Sequence, residues 1–288
     1  MAHFGISAAL LTPFGADGSI NLSLFCTHAR DLLKRGIEGV TAFGTTGEGA
    51  SIGLKERAAA ISALLASGIS ASKITLGVSS SALDDALAQI QQGIDAGITD
   101  FLLLPPFYFK CVEEDGLFDW HARLFNAADH RARFILYHIP QVSHAPLPVD
   151  LVMRLSAGFP ERIMAIKDSS GSWDNTRALI ESGQIPVLVG DERLLHKAAA
   201  LGAVGSICGM ANLYPERMAR LFETQNEDQA LSAEVAHIVS VPVIPALKLI
   251  SSQRSDNADW ARLRPPLKPL RGEARAAILS AFAGKVLA

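Results

Sequence analysis

At 288 residues, with 49% hydrophobic and 19% charged side chains, the chain suits one large soluble domain with a substantial core rather than two small ones. A formal net charge of −3, with no basic stripe interleaved with aromatics, gives no broad attraction to phosphate backbones and argues against nucleic acid as a partner. No basic segment precedes an apolar run at the N-terminus, and the apolar stretches fall far short of a bilayer span, so no membrane partner is expected and the expected location is cytoplasmic.

Short apolar or β-branched runs at 6–11, 39–43, 74–78, 100–104, 134–138, 164–167, 187–190 and 205–208 read as strands. Between them, helical periods run over 22–35, 54–67, 82–96, 116–128, 148–157, 173–182 and 192–201. Several of these periods stop at glycine, as in Arg35-Gly36, Ala96-Gly97 and Leu201-Gly202. Eight strands each followed by a helix need right-handed crossovers, and they close most naturally into a (β/α)8 TIM barrel over residues 1–210. An open doubly wound sheet is the alternative, but the glycine-rich fingerprint it often carries after the first strand is absent. Residues 211–288 keep a helical pattern too long for one barrel helix, so additional C-terminal helices packed on the barrel are expected. The three cysteines, Cys26, Cys111 and Cys208, are scattered and unpaired in spacing, which fits a reducing compartment rather than a disulfide or zinc framework.

In such a barrel the chemistry sits at the C-terminal ends of the strands. Lys167 ends the apolar run Met164-Ala165-Ile166-Lys167, where a desolvated amine can attack a carbonyl, although a lysine at a strand end is by itself more often solvated. Tyr137 closes the preceding strand and could converge with Lys167 to pass protons, unless it is a core tyrosine with its hydroxyl tied to a carbonyl. The loop Gly44-Thr45-Thr46-Gly47-Glu48-Gly49 offers two hydroxyls and several N–H groups to a carboxylate, and it lacks the lysine of a phosphate-binding loop. His138 and His144, six residues apart across a proline, lack metal-ligand spacing and read as one pocket-edge and one loop histidine. Trp120, Trp173 and Trp260 read as packing residues.

Together these features resemble the dihydrodipicolinate synthase / N-acetylneuraminate lyase family of pyruvate-dependent aldolases. The resemblance runs from Ala9-Leu10-Leu11-Thr12-Pro13-Phe14 through G-T-T-G-E at 44–48, P-F-Y at 106–108, Y-H-I-P at 137–140, I-K-D at 166–168 and G-D-E at 190–192. Late echoes are Pro245-Ala246-Leu247-Lys248 and Arg264-Pro265-Pro266-Leu267. It implies that Lys167 forms the Schiff base, that Tyr137 is the catalytic tyrosine, and that Thr46 supplies the relay hydroxyl. It further implies that Tyr108 reaches into a neighbouring subunit's site, that Thr45 and Thr46 hold the keto acid's carboxylate, and that Ser169, Gly190, Glu192 and Ile207 line the second-substrate pocket. The implied partners are pyruvate and an aldehyde in a homodimer or homotetramer, with no metal and no organic cofactor required.

One position departs from the pattern. The synthases carry an arginine five residues after the tyrosine, which binds the carboxylate of aspartate semialdehyde. Here that residue is Val142, which cannot make the bidentate contact of an arginine. The expected activity is therefore cleavage or formation of a 2-keto-4-hydroxy acid, with a 2-keto-3-deoxy sugar acid preferred over dihydrodipicolinate synthesis or N-acetylneuraminate cleavage. A barrel that binds keto acids without turnover, and a metal-dependent barrel aldolase, are the readings from other classes. The latter would need clustered His, Asp or Glu ligands, which the strand ends do not offer.

Overall fold

The alternation of short strands and longer helices persists in three dimensions. A computed structural model describes residues 4–283. The strands are β1 (Gly5–Ala9), β2 (Gly39–Ala42), β3 (Ile74–Val78), β4 (Asp100–Leu103), β5 (Arg133–His138), β6 (Ile163–Asp168), β7 (Val187–Val189) and β8 (Gly205–Cys208). Neighbours are parallel throughout and β8 pairs with β1, so the sheet closes in chain order into the eight-stranded barrel of a (β/α)8 fold.

Helices α1 (Leu22–Lys34), α2 (Leu54–Ala66), α3 (Leu83–Asp95), α4 (Glu114–Ala127), the single turn α5 (Pro140–Ser143), α6 (Val149–Gly158), α7 (Trp173–Glu181) and α8 (Leu195–Leu201) connect the strands. Two of their starts, those of α1 and α7, carry side-chain caps. The Asn21 side chain accepts the Leu24 N–H before α1, and Ser172 accepts the Asn175 N–H before α7. Helix α8 stops at Gly202, whose φ of 113° is a conformation an L side chain resists. After β8 come α9 (Pro215–Thr224), α10 (Gln229–Val239), α11 (Val243–Ser255) and α12 (Gly272–Ala281). α9 packs against β1 and α8, in the place of the barrel's eighth helix, while α10 packs against the turn at Glu192–Leu194 and against α11 and α12. Among the described residues no single helix is long and apolar enough to cross a membrane.

Strand alternation divides the apolar residues into two cores. Phe101, Phe134, Leu136, Ile166, Val187 and Val189 face the helices, whereas Ala9, Leu102, Ile135, Tyr137, Ala165, Leu188 and Ile207 fill the barrel interior. The strand at 39–43 is one residue shorter than its apolar run because Phe43 takes a left-handed φ of 61°. That conformation turns the chain sharply into the Gly44–Gly49 loop. A Cβ at Gly49 or at Gly77 would collide with the Phe43 carbonyl oxygen, so both positions need glycine for the turn to pack.

Candidate active site

The interior layer at the C-terminal end of β5 and β6 carries Tyr137 and Lys167. The two are register partners on adjacent parallel strands, and both point inward because each lies two residues beyond an interior position, Ile135 and Ala165. The Lys167 amine sits 4.2 Å from the centroid of the Tyr137 ring, and the lysine is only 5% exposed. Among the described residues no carboxylate oxygen lies within 4 Å of that amine. Lys167 is thus a buried, unpaired nitrogen at the floor of a cavity of about 370 Å³.

Across the barrel mouth, the Gly44–Gly49 loop brings Thr45 and Thr46 into the same cavity. The hydroxyl beside the Tyr137 phenol is that of Thr45, at 3.3 Å, rather than that of Thr46. The loop is held from below. The Thr12 hydroxyl donates to the Gly47 carbonyl at 2.8 Å, and Glu48, at a left-handed φ of 56°, sends its carboxylate into a fully buried ion pair with Lys248, 2.6 Å away. Lys248 also donates to the Thr12 carbonyl at 2.8 Å, and the Arg264 N–H donates to the second Glu48 oxygen at 2.9 Å. These contacts give the late motif echoes at Lys248 and Arg264 a physical meaning, since they anchor the threonine loop.

Ser169, Gly190, Glu192 and Ile207 line the same cavity, as do Asp191, Arg193 and Cys208. The Glu192 side chain is buried and its carboxylate accepts the Met210 N–H at 2.9 Å; burial raises its pKa above the ordinary carboxylate value, against the opposing pull of that hydrogen bond. Burial pushes the Cys208 thiol up to about 12, so it is no nucleophile. Asp191 is fully engaged by Arg193, which donates from Nε at 2.9 Å and from Nη2 at 2.6 Å.

Eight of the nine residues singled out from the sequence therefore meet at one cavity: Thr45, Thr46, Tyr137, Lys167, Ser169, Gly190, Glu192 and Ile207. Tyr108 is not among them. It lies in the loop after β4, 73% exposed and edge-on to Phe109 at 5.3 Å. His138 is not at the pocket edge. Its parity is opposite to that of Tyr137, so it points away from the barrel interior, where it is buried and its Nδ1 accepts the Leu147 N–H at 3.0 Å. Sequence reasoning did not find the outer wall, formed by Val235, Ile238 and Val239 of α10 and Val243, Ile244 and Leu247 of α11. Nothing in their chain position announces it; only the docking of α10 on the Glu192 turn brings them there. Among the described residues no three His, Cys, Asp or Glu side chains gather as metal ligands would.

Residues 2–279 match the Dihydrodipicolinate synthetase family. The chain is 34% identical over 287 residues to a protein of Chloroflexus aurantiacus named as an uncharacterized DapA-like lyase, a match covering 96% of this chain and 95% of the relative. It is 28% identical over 270 residues to a 4-hydroxy-tetrahydrodipicolinate synthase of Methanothrix thermoacetophila, covering 93% of this chain and 89% of that one. The crystal structure of dihydrodipicolinate synthase from Agrobacterium tumefaciens superposes with a TM-score of 0.93 at 40% identity, over 97% of this chain and 98% of that one.

Proposed function

Because this chain belongs to the dihydrodipicolinate synthetase family and is a lyase of that family, we propose that Lys167 forms a Schiff base with pyruvate and that the enzyme makes or cleaves a 2-keto-4-hydroxy acid. The observation that carries the reading is the buried Lys167 amine, with no carboxylate of the described residues within 4 Å, facing the Tyr137 ring in a cavity that also holds the Thr45 and Thr46 hydroxyls.

In the cleavage direction the lysine nitrogen attacks the C2 carbonyl, and the Tyr137 phenol gives its proton to the departing oxygen, so that loss of water leaves an iminium and a phenolate. The C4 hydroxyl gives its proton to the Tyr137 oxygen, the C3–C4 bond breaks, and its electron pair moves through C3–C2 onto the iminium nitrogen, which becomes neutral as the aldehyde departs. The Tyr137 phenol then returns that proton to C3 of the enamine, and water hydrolyses the re-formed iminium to pyruvate and free lysine, giving its proton back to the phenolate. Thr45, within hydrogen-bond reach of Tyr137, relays the proton, and the Thr45 and Thr46 hydroxyls with the loop N–H groups hold the C1 carboxylate. Every proton and electron pair is accounted for by lysine, phenol and water, so the cycle calls for no cofactor.

Dihydrodipicolinate synthesis is disfavoured by one residue. The position at which the synthases carry a carboxylate-binding arginine is Val142, half-exposed at the cavity mouth.

The enamine step is tested by proton exchange. In deuterated water the wild type should exchange the methyl protons of pyruvate, followed by NMR; Tyr137→Phe should slow the exchange on the order of a hundredfold, and Lys167→Ala should abolish it. Exchange that survives intact in Lys167→Ala rules the mechanism out.

A further inference from the structure

The lining of the cavity combines polar loops with an apolar stretch of wall. On the side of the β6 and β7 loops lie Ser169, Ser170, Asp191 and Glu192, but much of their hydrogen-bonding capacity is already used. Both Asp191 oxygens are taken by Arg193, one Glu192 oxygen by the Met210 N–H, and the Gln141 amide nitrogen by the Ser169 carbonyl. Of the described side chains that line the cavity only Lys167 and Arg193 are cationic; the first is assigned to the keto carbon and the second is paired with Asp191.

Flanking these loops, with α10 docked on the Glu192 turn and the Ile139–Val142 turn tied to Ser169 through Gln141, is an apolar stretch of wall. Ile139, Ile238 and Ile244 lead outward to Val142, Val239 and Val243. Of the seven large hydrophobic side chains that are exposed among the described residues, these three valines ring this one mouth. Water-exposed aliphatic groups gathered around a cleft mark a surface that is covered when the cleft is filled. Here the cleft leads directly to Lys167, so the group that fills it is attached to the molecule reacting there.

We propose that the aldehyde partner is uncharged and apolar, so that the substrate is a 2-keto-4-hydroxy acid whose C4 carries an aliphatic or aromatic group lying against α10, α11 and Val142. The C4 hydroxyl stays at the Tyr137 phenol that takes its proton, with Ser169 and Glu192 beside it in the same cavity. A polyhydroxylated tail would place hydroxyls on the apolar wall without partners, and a carboxylated tail would find no free cation among the described residues that line the cavity. This inference rests on the Schiff-base reading above and narrows it to a class of substrate.

The test compares two 2-keto-4-hydroxy acids with side chains of similar size, one bearing isobutyl or phenyl at C4 and the other a trihydroxypropyl chain, with pyruvate release as the readout. The expected kcat/KM is at least about tenfold higher for the apolar compound, and Val239→Gln should lower that ratio at least about threefold by placing an amide on the wall. A ratio near or below one, or turnover of neither compound by protein that borohydride traps with pyruvate, overturns the apolar assignment and leaves the Schiff base standing. Failure to trap pyruvate at all overturns the Schiff-base reading and this inference with it.

Discussion

Replacing Lys248 by methionine should both destabilise the fold and slow the reaction. The Lys248 amine lies 2.6 Å from Glu48 Oε1, both side chains are fully buried, and the same amine donates to the Thr12 carbonyl. Burial pulls the lysine below its ordinary pKa while Glu48 holds it up, which leaves each member dependent on the other. Removing one partner of a buried ion pair costs about 3–5 kcal/mol because the other charge is left without compensation. With about 2 cal/mol/K of unfolding entropy per residue, a loss of about 4 kcal/mol from a chain of 288 residues lowers Tm by about 7 °C.

The activity should fall for a separate reason. Glu48 lies two and three residues from Thr46 and Thr45, and a carboxylate that moves toward water takes the loop with it; displacing Thr45 by about 1 Å from the Tyr137 hydroxyl costs on the order of tenfold or more in turnover. The double variant Lys248→Met/Glu48→Leu should recover most of the stability, since an apolar pair suits the buried site, but not the turnover. Scanning calorimetry and pyruvate release read the two effects. A Lys248→Met protein within about 1 °C of wild-type Tm and fully active would refute the claim that this ion pair supports the threonine loop.

Two further outcomes are expected. His121 is fully buried in α4, its Nδ1 donates to the Leu117 carbonyl at 2.7 Å, and burial pushes its pKa down to about 4. Its unfolded value is near 6.5, so the unfolded chain binds the extra proton between about pH 6.5 and 4, and stability should fall as pH drops through that window. His121→Phe should flatten that part of the profile in urea titrations, and an unchanged slope would remove His121 from the account. For assembly, Tyr108 and Phe109 are both largely exposed, a costly display that a subunit interface would cover, so the wild type should sediment as a dimer or larger and Phe107→Glu should weaken the association. A fully active wild-type monomer at assay concentration would sink the idea that Tyr108 completes a neighbour's site.

The strands were legible because each is a short apolar run set between helical periods, and the ends that differ do so for local reasons. Phe43 continues the apolar run of β2 but leaves the strand, because a left-handed residue carries no compositional mark when it is not glycine. Parity would have corrected His138: once Tyr137 faces inward, its neighbour must face outward. No rule of sequence separates Thr45 from Thr46, two adjacent hydroxyls on one loop, and only the turn geometry brings Thr45 to the phenol. The convergence of Tyr137 and Lys167 depends on the β5–β6 register, which a bulge near Phe134 adjusts before the two residues pair. The apolar wall was the least accessible feature, because Val239 and Val243 join the cavity only through the packing of the C-terminal helices.

The central claim is the covalent bond at Lys167. The most direct measurement is peptide mass spectrometry after incubation with pyruvate and borohydride, on the wild type and on Lys167→Ala. A reduced pyruvate adduct is expected only on the wild-type peptide that contains Lys167, with none on the folded variant. An adduct of equal yield in Lys167→Ala, or one mapped to another lysine of the wild type, would contradict it.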